Sequence, residues 1–396
     1  MEHSDSFYDI LLEENIFPDG GKKQKNKNGP GLLLKILAVC LCSVLLLITL
    51  NYIYEQDMAN YDYEAEKLED IGNPVLVNVG SSHGEYAFYY GELWQQGVPC
   101  ANLALSSQMF DYDMALLRQF REDIPAGATV LIPVSYFSFN DETTSEADIE
   151  ARSIRYYKYV DPQYIPDYDW FIDLTTHHLP ILSAGSKILK LPYDFLFWGK
   201  DYVEGAAGFK LIVHAAETDE AASAAETKAE ETGAGTAETD ACEVPEELRL
   251  TQEERTAKYE SFEETTTSRI ERHFGDRSEF FRTDRVRQLE EIIDFCREND
   301  WTPVLITTPF FETYTDAVDE DFRIHFEAVV RNIADGKGVP YYDYSMDERF
   351  RSTIEYFGDP DHLNNDGGKL FIRILYREVP EVREVLEPYG LQGFDE

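Results

Sequence analysis

Residues 74–85 read PVLVNVGSSHGE, and this stretch decides the fold. Pro74–Val79 is a short apolar run rich in Val, the pattern of a strand buried on both faces. Gly80 breaks it, and His83–Gln96 resumes with helical character. A strand that turns directly into a helix is the opening half of a βαβ unit. The alternation recurs along the chain. Pro99–Leu105 (PCANLAL) and Ala128–Val134 (ATVLIPV) read as strands, with an amphipathic helix over Asp111–Glu122 between them. Asp284–Glu298 is a second amphipathic helix, Thr302–Thr307 (TPVLIT) a fourth strand, and Phe322–Ala334 another helix. Gly338–Tyr342 (GVPYY) is a fifth strand and Asp366–Glu378 a closing helix. The pattern predicts α/β architecture: a five-stranded parallel sheet in a three-layer α/β/α stack. Ligands of such sheets sit at the carboxyl ends of the strands.

Upstream of the sheet, residues 32–54 (LLLKILAVCLCSVLLLITLNYIY) are long and apolar enough to cross a bilayer as a helix. Lys35 sits near one end, where its head can snorkel, and Tyr52 and Tyr54 supply aromatic anchoring at the other. Lys22, Lys23, Lys25 and Lys27 precede the span, and acids dominate after it. The expected organisation is a cytoplasmic tail over 1–31, a transmembrane helix over 32–54 and an extracytoplasmic remainder. A cleaved signal peptide is the rival, but the apolar run is too long and no small-residue cleavage site follows.

The chain holds 35 Lys and Arg against 76 Asp and Glu, a net charge of −41, which excludes a nucleic-acid partner. Five Cys do not make a disulfide scaffold. With Cys40 and Cys42 inside the span, one bond among Cys100, Cys242 and Cys296 is permitted but not demanded. No ligand spacing predicts a metal, and no cofactor is called for.

An insertion over about 140–283 separates the sheet segments 73–139 and 284–396. Its part from 152 to 202 is too aromatic for a free linker and reads as a cap packed beside the sheet, either as added core or as a lid. The part from 215 to 247, rich in Ala, Thr and acids and without an aromatic, reads as a disordered acidic loop.

Two pieces carry chemistry. Gly80-Ser81-Ser82 puts a hydroxyl at the carboxyl edge of the first strand, beside main-chain N–H groups able to hold an oxyanion; a helix-capping serine is the plainer reading. Far downstream, Gly358-Asp359-Pro360-Asp361-His362-Leu363-Asn364-Asn365-Asp366-Gly367 places an Asp three residues before a His in one loop. Such an Asp can set the tautomer of the imidazole, whose other nitrogen then takes a serine proton. Alone, this too could be a surface loop with a helix cap.

Together the pieces resemble the SGNH (GDSL-type) hydrolases, a flavodoxin-like family, over about 73–135 and 284–378. The resemblance implies Ser82 as nucleophile, with Asp359 and His362 on the family's Asp-x-x-His. It fails at two places. The second block here is Asn102-Leu103-Ala104-Leu105-Ser106-Ser107-Gln108, lacking the usual Gly. The third is Val134-Ser135-Tyr136-Phe137-Ser138, lacking the Asn that completes the oxyanion hole. Ser81, Asn102 and Ser107 are the substitute candidates for substrate or oxyanion contacts, with backbone donors near Ser82 and near Ser106 or Ser107.

With the anchor, the chain looks like the membrane-anchored SGNH-like proteins of bacterial envelope modification. That likeness implies a serine acyltransferase or esterase acting on acyl groups, O-acetyl foremost, of an envelope or exported polysaccharide. A membrane-bound O-acyltransferase is the implied partner. Two other readings stay open: a non-catalytic scaffold that binds a glycan or the acyltransferase, and an accessory protein of D-alanyl transfer.

Overall fold

The computed structural model describes residues 29–59, 67–68, 70–140, 156–157, 159–166, 168–182, 244–275 and 280–394. Most of the expected tail, much of the aromatic segment, nearly all of the acidic loop and Cys242 lie outside them. The chain divides into two compact units, Met1–Tyr52 and Ile53–Glu396. The first carries most of helix α1 (Gly29–Ala59), within which Gly31–Tyr52 has a mean hydropathy of 2.8 over 22 residues. At about 1.5 Å per residue that length crosses a hydrocarbon core of about 30 Å.

The second unit is the α/β body. Its order is β1 (Leu76–Asn78), α2 (Ser82–Ala87), α3 (Gly91–Gln95), β2 (Cys100–Asn102), α4 (Phe110–Gln119) and β3 (Thr129–Pro133). Then come α5 (Gln252–Phe274), α6 (Thr283–Glu298), β4 (Thr302–Thr307), α7 (Glu320–Lys337) and β5 (Tyr341–Asp343). A hairpin of β6 (Phe357–Asp359) and β7 (His362–Leu363) precedes α8 (Asn365–Glu378) and α9 (Pro380–Leu386). The main sheet is five-stranded with order β2-β1-β3-β4-β5, and every pairing is parallel.

Alternate side chains of the strands feed two cores, as a period of two requires. Val77, Val130, Ile132 and Leu305 pack with Leu116 of α4, Ile292 of α6 and Val330 of α7. Leu76, Leu131, Val304 and Ile306 pack with Leu375 of α8 and Val382 of α9. The result is the expected three-layer stack. Because β1 is flanked by β2 and β3, the chain order reverses there, and the crevice outside the carboxyl ends of β1 and β3 is where such sheets bind ligands. Tyr156, Tyr157, Val160 and Ile165 join the first core, and Tyr156 stacks on Tyr112 at 4.0 Å.

The structure corrects the sequence reading at two points and completes it at two more. The helix expected over His83–Gln96 is two helices, because the Asn102 amide donates to Glu85 O (3.0 Å) and Phe88 O (3.2 Å) and so ends α2 from the side. The fifth strand begins at Tyr341 rather than Gly338, since Gly338 (φ +61°) closes α7 in the left-handed conformation. Cys100 and Cys296 are free, buried thiols, each in a different core. Finally, the insertion contains a 23-residue helix, α5, opened by a reciprocal Thr251–Glu254 capping box.

Candidate active site

The Gly80-Ser81-Ser82 turn is built by packing against β3. Gly80 has φ +112°, and a Cβ there would lie 2.2 Å from Pro133 Cγ. Its N–H donates to Asp113 Oδ1 at 2.9 Å, and Gln108 Nε2 donates to the same oxygen at 2.5 Å. Ser81 caps α2, its hydroxyl accepting from His83 N at 3.4 Å. Ser82, the first residue of α2, is thereby held half-buried at the strand edge.

Asp113 is fully enclosed, and burial pushes its carboxyl up to about 7. That value lies above the range of about 3.9 for an unfolded chain, so the native state holds a proton that the unfolded state loses between these limits. Stability contributed through this proton therefore falls as pH rises from about 4 to 7 and is level beyond. An Asp113→Asn protein keeps an oxygen for both donors. It should match the wild type near pH 4 and exceed it at pH 8, by on the order of 4 kcal/mol in urea unfolding.

His362 arrives on the β6–β7 hairpin, where Asp359 pairs directly with it across Pro360-Asp361. A tight turn brings its first and fourth residues side by side, which is the physical meaning of the Asp-x-x-His spacing. Asp359 Oδ1 also accepts from the N–H groups of Asp361 (3.1 Å) and His362 (3.0 Å). His362 Nδ1 lies 2.9 Å from both Asp359 oxygens, and Nε2 lies 2.7 Å from Ser82 Oγ. With Nδ1–H donating to Asp359, Nε2 is the acceptor facing the hydroxyl. Burial alone would lower the His362 pKa, but the Asp361 and Asp359 carboxylates outweigh it and the pKa is raised.

A cavity of about 380 Å³ opens beside Ser82 and His362, lined among others by Ser106, Ser107, Arg269, Arg272 and Asn365. Ser107 has φ +62°, and its N–H takes no partner among the described residues. A non-glycine residue in this left-handed conformation is held there by its surroundings at a cost in strain. Ser81 lines a separate, water-sized recess behind the turn. Asn102 faces inward: its Oδ1 accepts from Asn78 Nδ2 (2.9 Å) and Ala104 N (3.1 Å), and its amide ends α2. Of the three substitute candidates, the structure thus brings only Ser107 to the cavity.

Four further residues gather beside Ser82, Asp359 and His362; of these the sequence singled out only His83, which could line the site or merely begin the helix. His83 is buried between Ser135 Oγ (Nδ1, 2.7 Å) and Asp361 Oδ2 (Nε2, 3.2 Å). Asp361 has a fully buried side chain. From α5, Arg269 contacts both Asp359 and Asp361, and His273 bonds Tyr314 Oη at 2.7 Å. Burial pushes His273 down to about 3 and lowers His83, so both rings are neutral. Ligand atoms of His83, Asp361 and His362 lie within 4.8 Å of one another, close enough for a cation by distance alone. Arg269 Nε, 3.2 Å from Asp361 Oδ1, already supplies that positive charge, and the hydrogen bonds account for each imidazole.

No family model and no curated protein matches the chain. Among solved structures, a "putative acylhydrolase" from Bacteroides fragilis NCTC 9343 aligns over 83% of this chain and 98% of its own, with 12% identity and a TM-score of 0.33. At that score the alignment adds nothing to what the side chains themselves display.

Proposed function

We propose that the protein is a membrane-anchored serine acyltransferase or esterase of the SGNH type. The observation that carries this is the continuous contact from Ser82 Oγ through His362 to Asp359, 2.7 Å and 2.9 Å long, opening on a cavity. In the reaction His362 takes the Ser82 proton at Nε2, and Ser82 attacks an ester or thioester carbonyl. Asp359 holds Nδ1–H and balances the imidazolium. The N–H of Ser107, without a partner among the described residues, and the N–H of Ser82 receive the oxyanion. His362 returns the proton to the leaving group, and water or a sugar hydroxyl resolves the acyl-enzyme.

The cavity is of the volume that holds a small ligand, roughly 300–1,000 Å³, which suits a sugar unit bearing a small acyl group. With an N-terminal helix able to span a bilayer and lysines before it, the body is read as extracytoplasmic. The substrate read from this setting is O-acetylated envelope or exported polysaccharide, with a membrane-bound O-acyltransferase as partner. Full-length protein in detergent should release 4-nitrophenol from 4-nitrophenyl acetate and acetate from acetylated glycan, in a manner lost with Ser82. Folded protein that turns over neither ester nor glycan, alone or with a polytopic acyltransferase, would move the reading to a scaffold.

A further inference from the structure

Asp361 is the buried centre of the site, and the triad positions do not use it. Its side chain is fully enclosed, whereas that of Asp359 is 26% exposed. Oδ1 lies 3.6 Å from His362 Nδ1 and 3.2 Å from Arg269 Nε; Oδ2 lies 3.2 Å from His83 Nε2 and 3.8 Å from His273 Nε2.

Hydrogen bonding fixes the charge of each neighbour. His83 donates Nε2–H to Asp361, which leaves Nδ1 to accept from the Ser135 hydroxyl; Ser135 N in turn donates to Ser138 Oγ at 2.8 Å. His83 is thus a neutral ring locked in one tautomer. His273 is neutral and tied to Tyr314. Asp359, Asp361 and the Arg269 guanidinium that contacts both sum to −1, with Arg272 on the cavity lining beyond them. Proton transfer from Ser82 to His362 adds one positive charge and brings this group to neutrality, with the serine's negative charge passing to the oxyanion. A buried carboxylate 3.6 Å away acts through little water and is screened less than an exposed one.

We propose that Asp361 is a second carboxylate of the acid–base group, a positioning residue that stabilises the His362 imidazolium from the interior while Asp359 holds its Nδ1–H. Arg269 and His83 keep Asp361 ionised and aimed, so the insertion helix α5 tunes the base rather than merely covering it. The inference rests on the acyl-transfer reading for its purpose, but its electrostatics are measurable without turnover.

The groups facing His362 are Asp359 and Asp361 from its own hairpin and Ser82, His83 and Tyr86 from α2. Arg269, Arg272 and His273 approach from α5. Asp361 raises the His362 pKa and Arg269 lowers it, so two substitutions should move its titration in opposite directions.

The test is a ¹⁵N titration of the histidines in the full-length protein in detergent, with the His362 signal assigned by its loss in His362→Gln. Asp361→Asn should lower the midpoint by about one pH unit or more. Arg269→Gln should raise it. The acid limb of kcat/KM should follow, with Asp361→Asn losing about tenfold or more in rate at neutral pH. A purely structural role would not give shifts of opposite sign.

An unmoved midpoint in folded Asp361→Asn, or an Arg269→Gln shift in the same direction, overturns the proposal. If Asp361→Asn does not fold, Arg269→Gln carries the test alone, and an unchanged or lowered midpoint overturns it. Failure of the acyl-transfer reading would appear separately, as turnover that survives Ser82→Ala.

Discussion

Ser82→Ala should abolish turnover while leaving the fold intact, with kcat/KM falling by about 10³–10⁶-fold. Ser82 is half-buried, and among the described residues its hydroxyl makes one side-chain bond, to His362. Removing a single such bond costs stability only about 0.5–1.5 kcal/mol, so the melting temperature should barely move. The chemical loss is far larger, because the alanine protein has no atom to receive the acyl group. His362→Ala should lose nearly as much. The double variant should be little worse than either single one, since residues acting as a unit are not additive. Initial rates with 4-nitrophenyl acetate, beside circular dichroism of each variant, check this. Near-wild-type turnover in folded Ser82→Ala would place the chemistry elsewhere.

Gly80→Ala should be the most damaging substitution for the body of the protein. Two penalties combine at Gly80: φ is +112°, and the new Cβ would stand 2.2 Å from Pro133 Cγ on β3, between β1 and β4 in the sheet. Neither partner can move freely, because Gly80 N–H is held by Asp113 and Pro133 pairs in register with Ile306. Clash and backbone strain together put the expected cost on the order of 3–5 kcal/mol. Gly97→Ala is the control, for it has φ +77° but nothing within 4 Å of its Cβ. Strain without collision should cost about 1 kcal/mol or a little more. Urea unfolding of the two variants separates the effects.

The sheet was legible because its strands are continuous apolar runs with turn residues between them. Thr302–Thr307 was located to the residue, and the others to within a few. The meeting of Ser82, Asp359 and His362 was expected from one resemblance and two short motifs, and the structure brings these three side chains into contact. What escaped notice lies on α5. Its inward stripe is Phe262, Thr266, Arg269 and His273, at spacings of four, three and four. Three of those positions are polar, and Arg269 and His273 among them face the Ser82–His362–Asp359 cluster, so the apolar signal that normally reveals a helix is thinned. The Thr251-x-x-Glu254 capping box was the available sign. The pairing of His83 with Asp361 was hidden for a similar reason. Each adjoins a more recognisable residue, and only the fold shows that they meet across 278 positions of chain.

The substitute candidates for oxyanion contacts were read least well. Asn102 has the right chemistry but the wrong direction, since a residue on the strand can either end α2 or face the cavity. Ser107 offers its main chain, in a conformation that glycine adopts more readily, which a sequence without that glycine conceals.

The central claim is that Ser82 is an activated nucleophile. The most direct measurement is active-site labelling of the full-length protein in detergent with a fluorophosphonate probe, followed by peptide mass spectrometry. The account predicts stoichiometric modification of Ser82 in the wild type, slowed strongly in His362→Ala and absent in Ser82→Ala. Folded wild-type protein that stays unlabelled, or label that persists in Ser82→Ala, would contradict it.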